Sequence, residues 1–436
     1  MRYLSTRGGA EADLVEAVMQ GLAPDGGLYV PEELPRFAPG EFRGETVAQI
    51  AAELLKPFFS GSPLEAELAA VCRDAFNFPV PLKPLPGTGG KLSVLELFHG
   101  PTAAFKDFGA RFLAAVMERA LARPGGTDDR PVTILVATSG DTGGAVAAAF
   151  HGRAGIRVAV LFPKGQVSPR QRHQLTCWGD NVRAFEVNGS FDDCQAVLKQ
   201  AFVDPALASR LRLSAANSIN LGRLLPQVAY HAAAALRHWR VHGEAAGSIV
   251  PTGNLGNGLA CIWAQAMGLP VREVVLAVNA NRTIPDFLST GDWQPRPSLR
   301  TLASAMDVGN PSNMERLHHL LPDLGSLRET VEAYSVDDAS IRVQIAKDDG
   351  RYAEVWCPHT ATGFWVHDHL PEDRRSKAWI VSATAHPAKF ETIVEPIIGR
   401  AVEVPPALAD LLERPTSAIA LEPRLDALAE QLVGWT

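Results

Sequence analysis

At 436 residues the chain is long enough for two or three domains around a large buried core, at about 100–200 residues per domain. With 46% hydrophobic residues, 20% charged residues, 37 Gly and 32 Pro, the composition is that of a turn-rich globular protein and not of a disordered one. A balance of 41 basic and 48 acidic residues, net −7, with no basic run, argues against nucleic acid or an anionic membrane as a partner, and no apolar run approaches the ~18 residues a bilayer span needs.

The start MRYLSTRGGAEAD has no apolar leader core, and residues 1–90, punctuated by Pro31, Pro35, Pro39 and the Pro-rich stretch 79–86, read as a separate N-terminal element. Residues 91–436 follow as an α/β region, divided near 100–220 into a smaller βα unit and near 221–436 into a larger one. Its first strong strand is predicted at 92–97, followed by an amphipathic helix through Lys106 and Met117. A strand at 132–138, a turn at 139–142, an Ala-rich helix through Phe150 and a strand at 157–162 form the clearest βαβ unit. A strand at 183–187, a helix at 191–202 and a long helix at 219–239 come next, the last with Leu221, Leu224, Leu225 and Val228 on its apolar side. A second βαβ unit repeats the layout with a strand at 248–251, a loop at 252–257, a helix through Met267 and a strand at 273–278. Residues 281–376 are polar and lack one dominant period, and a strand at 378–384 then runs into Ala385-His386-Pro387. The architecture predicted is two open twisted sheets with flanking helices plus an N-terminal extension.

Three loops carry chemistry. Gly253-Asn-Leu-Gly-Asn-Gly258 stands between an apolar strand and a helix, where backbone N–H groups converge on an anion at the helix start. An ordinary Gly-rich turn is the alternative, and the spacing GxxGxG is not the dinucleotide fingerprint GxGxxG. The stretch GTGGKLS at 87–93 fails as a Walker loop, because Leu85 and Leu92 stand at positions that motif reserves for Gly and Ser/Thr. Thr138-Ser139-Gly140-Asp141-Thr142-Gly143 is a second Gly-rich junction, in which Asp141 either caps the helix or accepts hydrogen bonds from a cationic or hydroxyl group of a ligand. On the helix after His99-Gly-Pro-Thr-Ala-Ala-Phe105, Asp107, Arg111 and Glu118 share a polar face, whereas Lys106 falls in line with Gly109, Ala110, Leu113 and Met117. A lysine turned inward at a helix N-terminus loses its proton more easily, which frees the amine for Schiff-base chemistry. His367-Asp368-His369 reads as a surface turn and no metal site is expected, while five widely spaced cysteines fit a reducing cytoplasm with neither disulfides nor CxxC sites.

An inward lysine, a Gly/Asn anion loop and a Ser/Thr/Gly loop in this order resemble the tryptophan-synthase-β-like (fold type II) pyridoxal phosphate enzymes, and within them the threonine synthase family. The resemblance spans nearly the whole chain: YLSTRG at 3–8, GLAPDGGLYVPE at 21–32, HGPTAAFKDFGARF at 99–112, TSGDTG at 138–143, NSIN at 217–220, PTGNLGN at 251–257, MDVGNPSNMER at 306–316, PHTATG at 358–363 and TAHPAKF at 384–390. Two departures stand out: Cys357 where many relatives have aspartate, and Asp141 where the wider fold has asparagine.

The resemblance implies that Lys106 carries pyridoxal 5'-phosphate as a Schiff base, that Gly253, Asn254, Leu255, Gly256 and Asn257 hold its phosphate, and that the Thr384 hydroxyl meets its ring nitrogen. It implies a substrate-facing role for Ser139, Asp141 and Thr142, and nominates Arg111, Ser218, Asn310, Asn313 and Lys389 for the substrate phosphate. The implied reaction turns O-phospho-L-homoserine and water into L-threonine and phosphate, the last step of threonine biosynthesis, with Lys106 as base, in a cytoplasmic monomer or weak homodimer. Two other readings stay open: a threonine or serine dehydratase on the same fold, and a non-catalytic protein that binds phosphorylated ligands.

Overall fold

The protein was analysed as a computed structural model, which describes residues 1–123 and 130–435. Its strands form three sheets. A small antiparallel sheet near the N-terminus has the order Glu11–Ala12, Tyr3–Ser5, Tyr29–Pro31. A five-stranded parallel sheet has the order Ile419–Leu421, Val182–Val187, Ile156–Pro163, Val132–Ala137, Arg212–Ala215. A six-stranded sheet runs Val331–Ser335, Val271–Val278, Ala246–Pro251, Trp379–Ala383, Leu92–Glu96, Leu82–Pro84, parallel except for its last pair. The strands VTILVA, AGSIVP and WIVSA are almost wholly buried, as strands covered on both faces must be.

Both βαβ units form as parallel pairs around the helices Asp141–Phe150 and Gly256–Ala266. The long helix spans Leu221–His242, starting two residues later than the apolar pattern predicts because the Asn220 side chain accepts from the Gly222 N–H at 2.8 Å and caps it. The sheets cut across the expected division at residue 220. Ile419–Leu421, within the larger unit by sequence, returns to edge the five-stranded sheet beside Val182–Val187, and Leu92–Glu96, which precedes both units, belongs to the six-stranded one. Local pattern does not reveal such long-range pairing. Residues 281–376 supply a strand at Val331–Ser335 and helices that include Asp338–Tyr352 and Pro358–His369.

His367, Asp368 and His369 are not a surface turn but the last turn of that final helix. His367 is buried there, and Asp368 is gripped by Lys347, Arg351 and Gln344. All five cysteines are unpaired and buried. No helix among the described residues is long and apolar enough to cross a membrane.

The topology also says where to look. Ala246–Pro251 has Val271–Val278 on one side and Trp379–Ala383 on the other, and Val132–Ala137 likewise has partners from two directions. In open α/β sheets, ligands collect at the carboxyl ends of strands where the order reverses. The loops 252–255, 384–386, 97–105 and 138–140 all leave from such ends.

Candidate active site

The loop from 97 to 105 is pinned to the segment after Trp379–Ala383. Leu97 N donates to Ala383 O at 3.0 Å, Phe105 N to Thr384 O at 2.8 Å, and His386 N to Ala103 O at 3.0 Å. Ala104 and Ala385 add an antiparallel bridge, and Ala103 turns the chain with φ 53°. Lys106 opens the helix Lys106–Leu121 directly after this junction, half-buried, with Gly109, Ala110, Leu113 and Met117 buried behind it as predicted. Burial brings its pKa down to about 8, helped by the Lys389 and Arg223 cations and opposed by Asp141.

The polar face drawn for this helix does not hold as a solvated face. Asp107 is buried: it accepts from Thr102 N at 2.9 Å and Thr102 Oγ1 at 2.6 Å, folding the loop back onto the helix. Gly100 is needed there, since a Cβ would lie 2.5 Å from an Asp107 oxygen. Arg111 sends its donors to Ala75 O at 3.0 Å, Asp74 O at 2.6 Å and Asn77 Oδ1 at 3.0 Å, and Glu118 pairs with Arg153.

At the start of the helix Gly256–Ala266, Leu255 adopts φ 64° and no side chain caps the helix. Among the described residues, no backbone N–H from Gly253 to Asn257 donates to a protein acceptor. The two asparagines frame this loop. Asn254 Nδ2 donates to Ser218 Oγ and its Oδ1 accepts from Ser312 N, both at 2.6 Å. Asn257 is buried, accepting from Tyr230 OH at 2.6 Å, lying 3.0 Å from His231 Nε2 and donating to Pro251 O at 3.0 Å. Gly253 packs so closely on the chain at Met306 that a Cβ would meet its Cα at 2.7 Å.

Two buried hydroxyls near these loops, Thr252 Oγ1 and Thr384 Oγ1, have no partner. The Thr384 amide donates to Thr360 Oγ1 at 3.1 Å, and Cys357 caps the helix of Thr360 by accepting from its N–H at 3.4 Å. A set of free amides at a helix start, a half-buried lysine of lowered pKa and a buried orphan hydroxyl fit the phosphate, aldehyde and ring nitrogen of pyridoxal phosphate.

In the other Gly-rich loop, Asp141 is not a cap. It is the first residue of its helix, behind Gly140 at φ 141°, and is buried. Its Oδ1 lies 2.8 Å from Lys389 Nζ and accepts from Gln171 Nε2 at 3.0 Å. Burial alone would raise this carboxyl, but the Lys389 ammonium and then Lys106 hold it far below the usual range. Lys389 also donates to Thr102 O at 2.7 Å. Ser139 and Thr142 are half-buried with hydroxyls that bond no described residue, and Asn310 is exposed.

Arg223 is a residue the sequence reading missed. It is buried on the first turn of Leu221–His242, donates to Ala216 O, leaves Nε without a partner, and has no carboxylate at ion-pair distance among the described residues. Burial lowers it to about 10. A signal was present: an arginine in the first turn of an otherwise apolar helix opposes the helix dipole. His359 is another: it is buried, its Nε2 accepts from Ala305 N at 3.0 Å, and Nδ1 has no partner.

Family models match three stretches: "Threonine synthase N terminus" at 2–76, "Pyridoxal-phosphate dependent enzyme" at 75–376 and "Threonine synthase, C-terminal" at 360–432. The chain is 38% identical to a threonine synthase of Serratia marcescens over 97% of both chains, and 37% identical to that of Escherichia coli over 93% of this chain and 92% of the other. Among solved structures, threonine synthase from Escherichia coli superposes with a TM-score of 0.90 at 34% identity over the full length of both chains. Pyridoxal-phosphate-bound threonine synthase from Brucella melitensis gives 0.89 at 34% over 99% of each. The chain belongs to the threonine synthase family of pyridoxal-phosphate-dependent enzymes.

Proposed function

We propose that the chain converts O-phospho-L-homoserine and water to L-threonine and phosphate. The observation that carries this reading is a double provision for phosphate: the free amides of Gly253–Asn257 and, separately, the buried guanidinium of Arg223, which has no counter-charge among the described residues and an Nε without a partner. A dianion leaves water only where charge and donors await it. A dehydratase acting on an unphosphorylated amino acid needs only the first provision.

In this reading the amides of Gly253, Asn254, Leu255, Gly256 and Asn257 would hold the cofactor phosphate, Lys106 would carry the cofactor, and the Thr384 hydroxyl would serve its ring nitrogen. Pyridoxal phosphate, when bound, supplies the electron sink that stabilises negative charge on the substrate carbons. Lys106 Nζ takes the Cα proton and returns protons later, a task suited to an amine whose pKa lies near 8. Ser139 and Thr142 offer hydroxyls to the substrate carboxylate, and Asp141, fixed by Lys389, sets the local charge beside Lys106.

Arg223, five residues beyond Ser218, receives the substrate phosphate; Asn313, whose amide is spent on Ser218 O and Asn254 O, supports that segment without meeting the phosphate, while Asn310 stands exposed at its edge. Arg111 and Lys389 act by holding the 74–77 segment and Asp141 respectively, not by touching the substrate. The enzyme works on a small molecule, in the cytoplasm, as a monomer or weak dimer.

The test is to follow phosphate and threonine release from O-phospho-L-homoserine beside deamination of L-threonine. Deamination without phosphate release would establish the dehydratase instead. Replacing Lys106→Ala should lower turnover by about 10²–10⁴-fold or more.

A further inference from the structure

Arg316, on the short helix Met314–Leu320, is fully buried with no carboxylate at ion-pair distance among the described residues. Its donors reach three neutral oxygens on three separate segments: Nε to Tyr29 O at 3.0 Å, Nη2 to Ile219 O at 2.7 Å and Nη1 to Asn313 Oδ1 at 2.8 Å. With its oxygen taken, the Asn313 amide turns Nδ2 to Asn254 O at 3.0 Å and Ser218 O at 3.2 Å. The Asn254 side chain then bridges Ser218 Oγ and Ser312 N.

A buried cation without a counter-charge is costly, and an apolar side chain would fill the same space more cheaply. Only a planar fork of donors reaches three oxygens at once. The neighbouring Glu315 clamps the same helix to the N-terminal sheet, accepting from Thr6 Oγ1 at 2.6 Å and Arg7 Nε at 3.1 Å.

We propose that Arg316 is a positioning residue that ties the N-terminal sheet, at the Tyr29 carbonyl, to both phosphate-handling segments, setting the Asn254 loop and the Ser218 segment through Asn313. The N-terminal residues thereby contribute to cofactor and substrate binding without touching either. This rests on the reading above, in which 253–257 and Ser218 handle phosphate.

The test uses full-length holoenzyme carrying Arg316→Lys, Asn313→Asp or both, with Tm measured in parallel. Asn313→Asp keeps the size and the acceptor for Arg316 but exchanges the two donors for a carboxylate charge, so Asn313→Leu, neutral and without donors, is measured beside it. Cofactor remaining after extended dialysis is read by absorbance, and kcat and KM are measured for O-phospho-L-homoserine. Each single variant should lose cofactor about tenfold faster and raise KM about tenfold, with kcat held within about threefold, since one hydrogen bond to a charged group is worth at least a factor of ten.

The double variant should be no worse than the worse single, as expected for two steps of one path. If Arg316→Lys does not fold, Arg316→Gln, neutral and still able to donate, takes its place. Parental cofactor retention and KM in a folded variant, additive losses in the double, or a fall in kcat alone would overturn the proposal. A parent that binds no cofactor or releases no phosphate overturns the function instead; a competent parent beside unchanged variants overturns only the role of Arg316.

Discussion

Two βαβ units of the same layout put a Gly-rich loop at the end of a buried strand, yet they treat charge in opposite ways. The loop at 253–257 spends its side chains on its own frame and leaves its backbone donors free. The loop at 139–143 places a buried carboxylate at the helix start, where the dipole favours an anion, and balances it with Lys389. One loop leaves its helix-start donors unspent on protein; the other meets its helix start with a carboxylate of its own. A shared fold motif therefore does not fix a loop's ligand, and the charges inside it decide.

The largest effect expected from breaking this contrast is at the loop of 139–143. Asp141→Asn leaves the Lys389 ammonium buried beside a neutral amide and should cost about 3–5 kcal/mol, read by denaturant unfolding, whereas Asp141→Asn with Lys389→Met should recover part of that loss. At the loop of 253–257, Gly253→Ala drives a Cβ into the chain at Met306 and should cost about 1–3 kcal/mol together with cofactor, while Gly256→Ala, with no atom nearer than 3.6 Å, should unfold at nearly the parental denaturant concentration.

Acid should weaken both loops alike, and gradually. His231, bonded to Asn257, and His359, acted on by Asp141, are both lowered to about 4 by burial. The unfolded chain takes up protons first, so their contribution is complete above about pH 6.5 and fades steadily toward pH 4. Tm measured across that window should fall, and His359→Asn or His231→Asn should flatten the slope. Asn310→Ala, at an exposed position, should change stability by less than about 0.5 kcal/mol and serves as the control.

What was legible in the sequence follows the range of the forces involved. A Gly-rich loop after an apolar strand is a local signal, and both units could be read from it. The inward turn of Lys106 was equally local, because its neighbours at helical spacing are small or apolar. Asp107 was misread because a helical wheel does not show a preceding loop folding back, and Thr102 does that. Arg223 escaped because its significance is a missing partner, which only packing reveals. The sheet division escaped for a related reason: Leu92–Glu96 and Trp379–Ala383 pair across nearly 290 residues, and nothing near either strand announces the other.

The hydrogen bond from Phe105 N to Thr384 O makes a backbone joint at the threonine itself and one residue from the lysine. The span between the Lys106 and Thr384 backbones is thus set by the main chain, and drift of the neighbouring side chains leaves it alone. Such a gauge lets the surrounding side chains change while the two backbone positions keep their spacing.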